Sequence, residues 1–203
     1  MTLRAGIITV STRGAAGERA DESGPAMREA LVAAGAEVVH ESVVPDDVER
    51  VATAILGAVR AGANVVLTTG GTGLSPNDVT PEATRRVIDR EIPGIAEALR
   101  AKSLEKTPHG MLSRGVAGAV GSALVVNLPG SPRAVRESLE VLLPVVPHAV
   151  ELLAGASGEQ GHASGRRRSA RSHPRSRKRS KRMRRWSRSN RPSSRTGCRA
   201  RAT

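Results

Sequence analysis

A glycine-rich segment at residues 68–82 most constrains the fold that this chain can adopt. It follows a short apolar run, Val65, Val66 and Leu67, and it leads into Pro81, which suits the first turn of a helix. Three glycines within four residues let backbone amides approach an anion closely, and the following helix adds the positive end of its dipole. The order strand, glycine turn, helix therefore predicts a phosphate-binding turn.

One carboxylate, Asp78, lies within this glycine turn. A carboxylate beside a phosphate is repulsive unless a cation lies between them, so Asp78 indicates either Mg²⁺ binding or proton transfer. The alternative is structural: Asp78 only caps a tight turn. The residues of the turn leave both interpretations open.

Apolar, strand-like runs alternate with amphipathic, helical runs along the first 155 residues. Strands are predicted at residues 5–10, 37–44 and 65–67, and helices at 23–34, 48–62, 81–90 and 93–104. A hairpin is predicted around Val120 and Gly121, followed by helices from about 131 to 153 that Pro144 and Pro147 interrupt. This alternation predicts the α/β class, with a mostly parallel sheet covered by helices.

Two further loops follow predicted strands and carry polar groups. Asp46 comes after the second strand, and Gly130 and Ser131 lie in the sequence Asn-Leu-Pro-Gly-Ser-Pro after the hairpin. In open α/β sheets, ligands bind just beyond the carboxyl ends of the strands. We therefore expect these loops and the glycine turn to converge on one rim of the sheet. Helix capping is the alternative for both Asp46 and Ser131.

The basic residues are concentrated at the end of the chain. Residues 166–203 hold 17 of the 32 lysines and arginines and none of the 19 acidic residues. Low apolar content and self-repulsion predict a disordered Arg/Ser-rich tail over 158–203, after one folded domain at 1–157. Such a tail favours nonspecific polyanion binding through phosphate neutralisation. A shifted reading frame in GC-rich DNA would produce the same composition, and that alternative stays open.

The composition also restricts the core and the compartment. Residues 1–165 contain no Phe, Tyr or Trp, so the core must be built from Val, Leu, Ile and Ala. The single cysteine, Cys198, excludes an internal disulfide framework and a thiolate metal cluster. No apolar run approaches the roughly 20 residues that span a bilayer, and the N-terminal residues lack a signal-peptide pattern. We therefore expect a cytoplasmic protein with no membrane partner.

Four motifs together resemble a known family. They are Asp21-x-Ser23-Gly24, the glycine turn at 68–82, Leu112-Ser113-Arg114 and the loop at 127–132. In order and spacing they resemble the MogA/MoaB family of molybdenum-cofactor biosynthesis proteins, over residues 1 to about 155. The resemblance implies a three-layer αβα sandwich and a homotrimer.

The same resemblance implies a molybdopterin adenylyltransferase. Such an enzyme transfers AMP from Mg-ATP to molybdopterin, gives adenylyl-molybdopterin and releases pyrophosphate. ATP and molybdopterin would be its substrates, Mg²⁺ its cofactor, and a molybdate-inserting enzyme its downstream partner. Two alternatives remain: a relative that binds molybdopterin or nucleotide without transferring AMP, and a nucleic-acid-binding protein that uses the basic tail.

Individual roles follow from the positions that match the family's motifs. Asp46 and Asp78 are implied as catalytic residues and as Mg²⁺ ligands. The implied substrate-binding residues are Ser11, Gly70, Gly71, Thr72, Gly73, Ser75, Gly130, Ser131 and Arg114. The chain departs from a frequent family pattern at Thr12, where the family has an aspartate after the serine. Helix capping is an alternative for Asp21, and a structural salt bridge is an alternative to phosphate or Asp78 pairing for Arg114.

Overall fold

The computed structural model describes residues 2–155, which lie in one compact unit. The predicted domain boundary near residue 157 and the predicted basic tail at 158–203 lie outside the described residues. Within them the strands are β1 (Arg4–Val10), β2 (Glu37–Val44), β3 (Val65–Thr69), β4 (Arg90–Glu91), β5 (Ala117–Val120) and β6 (Ala123–Leu128). The helices are α1 (Thr12–Ala15), α2 (Ser23–Ala33), α3 (Val48–Arg60), α4 (Thr80–Arg85), α5 (Pro93–Leu104), α6 (Pro132–Leu142) and α7 (Val146–Leu153), with a 3₁₀ helix at Pro108–Leu112.

These strands form one sheet in the order β2–β1–β3–β6–β5–β4. The pairs among β2, β1, β3 and β6 are parallel, whereas β5 is antiparallel to both of its neighbours. The hairpin predicted around Val120 and Gly121 joins β5 to β6, and Gly121 has a φ of +55°. The sheet is therefore mostly parallel, as the sequence predicts.

Both faces of this sheet are covered by helices. Successive residues of a strand point to opposite faces, so Ile7 packs with residues of α2, α5, α6 and α7, and Ile8 packs with residues of α3 and α4. Aliphatic side chains fill both clusters, and Ile7 and Ile8 are completely buried. The α/β class and the three-layer αβα sandwich are thereby confirmed.

Two details of the predicted elements are wrong. The helix predicted at 81–90 ends at Arg85, and Arg90–Glu91 forms the edge strand β4 against β5. That pairing is favoured because the amides of Asp89 and Ile92 donate to carbonyl oxygens of β5, at 2.7 and 2.8 Å. Pro147 also does not interrupt a helix, because it lies in the first turn of α7, where a missing amide costs nothing.

The parallel strands place the candidate site. The carboxyl ends of β1, β2, β3 and β6 meet at one edge of the sheet, so the loops that follow them lie side by side. These loops contain Ser11, Asp46, the glycine turn and Gly130. Among the residues that the structure describes, no helix has the length and apolar character needed to cross a bilayer.

Candidate active site

A cleft of about 260 Å³ opens at this edge of the sheet. Four residues that the sequence predicts for the site line it, each from a different loop: Ser11, Asp46, Gly70 and Gly130. The other predicted residues, Gly71, Thr72, Gly73, Ser75, Asp78, Ser131 and Arg114, lie outside its lining. The structure thus brings the four loops together but places the later part of the glycine turn beside the cleft.

Two glycines, Gly70 and Gly130, lie where these loops touch. Gly70 has a φ of +92°, and a Cβ at this position would clash with the carbonyl oxygen of Val10. A Cβ on Gly130 would lie 3.2 Å from the Cα of Gly70. The Thr80 hydroxyl donates to the Gly70 carbonyl oxygen at 2.8 Å, which anchors the turn to the first residue of α4. Backbone therefore forms this wall of the cleft, as a phosphate site needs.

Asp46 is held by the loop that follows β1. The amide and the hydroxyl of Thr12 donate to Asp46 Oδ2, at 2.7 and 2.8 Å. The neighbouring Asp47 is the residue that caps α3, because its carboxylate accepts the Arg50 amide at 2.9 Å. Capping of the following helix α3 by Asp46 is therefore wrong, and Asp46 lies in the cleft lining.

Asp78 closes the second half of the glycine turn. Its Oδ2 accepts the Ser75 amide at 2.8 Å, and its own amide donates to the Ser75 carbonyl oxygen at 2.9 Å. A Cβ on Gly73 would lie 3.0 Å from Asp78 Oδ2. The turn-capping alternative is therefore correct as a description of Oδ2, while Oδ1 accepts no hydrogen bond from the described residues.

Arg114 lies behind the glycine turn. Its side chain donates to the carbonyl oxygens of Gly73 and Asp78 and to the carboxylate of Glu82, and its amide donates to the Thr72 carbonyl oxygen. Partial burial raises the pKa of Glu82, but hydrogen bonding and attraction to Arg114 outweigh this and hold that pKa below its usual range. Arg114 thus forms the structural salt bridge considered as the alternative, and it meets Asp78 at the backbone.

Several predicted residues also cap helices or turns. Ser11 Oγ accepts the Gly14 amide of α1 at 3.1 Å, and Ser131 Oγ accepts the Ala134 amide of α6 at 3.2 Å. Asp21 Oδ1 accepts the first amides of α2, and its Oδ2 accepts the Thr9 hydroxyl at 2.7 Å. The capping alternatives for Ser131 and Asp21 therefore describe these side chains. Ser11 both caps α1 and lines the cleft.

A buried polar cluster supports the rim and was not singled out from the sequence. The Asn127 side chain donates to the hydroxyls of Thr68 and Thr84, at 3.0 and 2.8 Å, and accepts the Val116 amide at 3.2 Å. Asn127 is 4% exposed, and these bonds tie β3, α4 and the entry to β5 onto β6. Polar residues at the ends of otherwise apolar strands are the signal that could have identified it.

The charges around the cleft are mainly negative. Asp21, Glu22 and Asp46 line it together with one basic residue, Arg19, which sequence reasoning missed. A phosphate that enters meets more carboxylates than guanidinium groups, so it needs a cation for neutralisation. No group of three or more potential metal ligands comes together within residues 2–155.

Comparisons with known proteins identify molybdopterin-related proteins as similar to this chain. A family model described as a probable molybdopterin binding domain matches residues 6–148. A molybdopterin adenylyltransferase from Pyrococcus furiosus is 41% identical over 155 residues, covering 74% of this chain and 90% of that protein. The crystal structure of the molybdopterin biosynthesis enzyme MoaB from Thermus thermophilus has a TM-score of 0.71 and 51% identity, covering 76% of this chain and 98% of that one. Gephyrin from Dictyostelium discoideum is 39% identical over 158 residues, and the match covers 73% of this chain but only 22% of gephyrin.

Proposed function

The chain belongs to the family of probable molybdopterin binding domains, and we propose that it is a molybdopterin adenylyltransferase acting in molybdenum-cofactor biosynthesis. This membership confirms the resemblance to MogA and MoaB that the motifs imply. In the proposed reaction, a phosphate oxygen of molybdopterin attacks the α-phosphorus of ATP. The bond from that phosphorus to the bridging oxygen breaks, and pyrophosphate leaves.

One observation carries the proposal: four strand-end loops form a single cleft from glycine backbone, hydroxyls and carboxylate. Adenylyl transfer needs no protein nucleophile, because the attacking oxygen belongs to the substrate. It needs two phosphates held in line and the charge on them neutralised. The amides around Gly70 and Gly130 and the hydroxyl of Ser11 supply donors, and Asp46 faces the same space.

The residues present suit Mg²⁺. Mg²⁺ is usually bound by one or two carboxylates, waters and substrate phosphates. Asp46 and Asp78 each have one oxygen engaged within the protein and one that accepts no hydrogen bond from the described residues. Mg²⁺ would neutralise the developing charge on the transferred phosphate. Asp46 and Asp78 would hold it, and Asp46 would orient it from the β2 side of the cleft.

The remaining site residues are proposed to act through backbone and shape. Gly71, Thr72 and Gly73 continue the amide wall, and Ser75 keeps Asp78 oriented through its amide. Gly130, which lies against Gly70, extends the same wall, and Ser131 follows it at the start of α6. Arg114 keeps the turn in shape from behind, where it contacts carbonyl oxygens of the turn.

The decisive experiment is Mg²⁺-dependent pyrophosphate release from ATP, measured with and without molybdopterin. We expect release that requires molybdopterin and that falls roughly 100-fold or more in Asp78→Asn. Asp89→Asn is the matched control, because Asp89 accepts the Gly121 amide away from the cleft. Absence of release from well-folded wild-type protein would contradict transfer and favour a relative that only binds molybdopterin or nucleotide.

The assembly and the setting follow from the same proposal. We propose a homotrimer that works in the cytoplasm and passes adenylyl-molybdopterin to a molybdate-inserting enzyme. The trimer is implied by the family resemblance, and 51% and 47% identity to MoaB and MogA structures over nearly the whole of those chains supports that resemblance. Sedimentation of the full-length protein measures the mass, and a monomer at micromolar concentration would contradict the trimer.

The basic tail favours a second, non-catalytic property. Residues 166–203 carry 17 basic and no acidic side chains, so we propose nonspecific polyanion binding through them. Deletion of these residues should abolish binding to a DNA duplex at low salt and leave pyrophosphate release unchanged. If the deletion abolished both turnover and DNA binding, a nucleic-acid-linked role would be favoured instead.

A further inference from the structure

Thr12 and Asp46 form a closed set of hydrogen bonds between the loops that follow β1 and β2. The amide and hydroxyl of Thr12 donate to Asp46 Oδ2 at 2.7 and 2.8 Å, and the Asp46 amide donates back to Thr12 Oγ1 at 3.1 Å. The hydroxyl both accepts and donates here, so its proton points to the carboxylate. The two residues, 34 positions apart in the chain, fix each other's orientation.

These bonds give the two oxygens of Asp46 different surroundings. Oδ2 is engaged with Thr12, whereas Oδ1 faces the glycine turn, where a Cβ on Gly71 would lie 3.2 Å away. Oδ1 accepts no hydrogen bond from the described residues. The carboxylate therefore offers a single, oriented oxygen to a cation between the loop that follows β2 and the glycine turn.

The neighbouring polar side chains serve other partners. Ser11 Oγ caps α1 through the Gly14 amide, and Asp47 caps α3 through the Arg50 amide. The Thr12 amide lies in the first turn of α1, where a donor has no partner inside the helix. Asp46 satisfies that amide, so Thr12 is the side chain that links this carboxylate to the β1 loop.

We propose that Thr12 is the positioning residue that holds Asp46 as a one-oxygen ligand for the divalent cation. The inference rests on the proposed function, because that function brings cation and nucleotide to the cleft. Hydrogen bonds from outside the coordination shell orient ligands, and their removal typically weakens metal affinity about 10–100-fold. The Thr12 hydroxyl thus controls cation affinity without a contact to the reacting atoms.

The test is Mn²⁺ binding to full-length protein, measured by electron paramagnetic resonance with α,β-methylene-ATP present so that no turnover occurs. We expect Thr12→Val and Thr12→Ala to weaken Mn²⁺ binding about tenfold, and Thr12→Ser to remain within about twofold of wild type. Thr107→Val is the matched control, because the Thr107 hydroxyl caps the 3₁₀ helix outside the cleft lining. Circular dichroism checks that each variant is folded.

Turnover supplies a second readout. The Mg²⁺ concentration that gives half-maximal pyrophosphate release should rise in Thr12→Val and Thr12→Ala, while kcat at saturating Mg²⁺ stays near the wild-type value. Unchanged Mn²⁺ affinity in both variants, or equal weakening in Thr12→Ser, would overturn the inference. A third outcome separates the two proposals: wild type binds Mn²⁺, Thr12→Val and Thr12→Ala lose that binding, and no protein releases pyrophosphate. In that case the positioning role of Thr12 stands and the proposed transferase activity fails.

Discussion

At the scale of single residues, two adjacent aspartates have different partners. Asp46 lines the cleft and is held by Thr12, whereas Asp47 points to the Arg50 amide and caps α3. Their chemistry is the same and their sequence positions differ by one, so they form a natural pair for mutagenesis. A difference in turnover between an Asp46 variant and the matching Asp47 variant would result from the position of the carboxylate and not from its charge alone.

Asp46→Asn should reduce molybdopterin-dependent pyrophosphate release roughly 100-fold or more, because the neutral amide would attract the proposed cation far less than the carboxylate does. Asp47→Asn should keep turnover and stability, because asparagine caps helices about as well as aspartate. Rates at saturating ATP, with folding checked by circular dichroism, measure both. Equal losses in the two variants would place the effect in the loop's structure and contradict the role of Asp46.

Gly70 offers a second test at this scale. Gly70→Ala puts a methyl group against the Val10 carbonyl oxygen at a φ of +92°, so the free energy of unfolding should fall by more than about 1 kcal/mol. Gly57→Ala in α3 is the control, because outside its own helix a Cβ there would meet only His40, at an ordinary 3.9 Å, and alanine favours the helix. Urea titration followed by far-ultraviolet circular dichroism measures both. A loss of the same size in Gly57→Ala would contradict this explanation.

At the scale of elements, the glycine turn and α4 are joined to the segment before β5 by Arg114. The guanidinium group reaches two carbonyl oxygens of the turn and the carboxylate of Glu82 in the first turn of α4. Lysine at this position could not make these separate contacts, because it lacks the planar fork of donors. The shape of the turn thus depends on a residue more than thirty positions further along the chain.

This contact has a pH dependence of known sign. The folded protein holds the pKa of Glu82 below its value in the unfolded chain, so the contact stabilises the fold fully above the unfolded value and is lost as the pH falls through the folded one. Glu82→Gln should therefore show a smaller loss of stability than wild type as the pH is lowered from 5. The effect should be small, because the Glu82 side chain is 45% exposed. Urea midpoints across this range measure it, and parallel curves would refute it.

Local signals in the sequence account for most elements and for part of the site. Apolar periodicity with a glycine stop predicts α2, and the β-branched run Val65–Leu67 predicts β3. The two residues of β4 are too few to carry a period, so their pairing with β5 is visible only in three dimensions. The Thr12–Asp46 pairing is missed for a related reason, since both residues suit capping locally and their partnership depends on how β1 and β2 align.

At the scale of the whole molecule, the described residues form an open apolar groove. A groove of about 410 Å³ lies between α5 and the pair α6 and α7, and Val145 and Leu152 on its rim are about half exposed. Exposed apolar grooves of this kind typically mark contacts with other proteins. The proposed trimer would give this surface a partner.

Leu152→Glu should therefore convert the proposed trimer to monomers, because a carboxylate buried in an apolar contact is strongly unfavourable. Val32→Glu is the matched control, because Val32 on α2 is 55% exposed and lies outside the groove lining. Analytical ultracentrifugation at several concentrations gives the masses. A trimer that survives Leu152→Glu would show that subunits meet elsewhere.

The aliphatic core also decides which optical signals this protein gives. The chain contains one tryptophan, Trp186, and no tyrosine or phenylalanine, so the described residues 2–155 are almost transparent near 280 nm. Intrinsic tryptophan fluorescence therefore comes from residue 186 alone, and residues 2–155 contribute no aromatic fluorophore of their own. This lack of aromatic side chains is useful for measuring ligand binding, because a pterin or a fluorescent nucleotide in the cleft would be observed against almost no protein background.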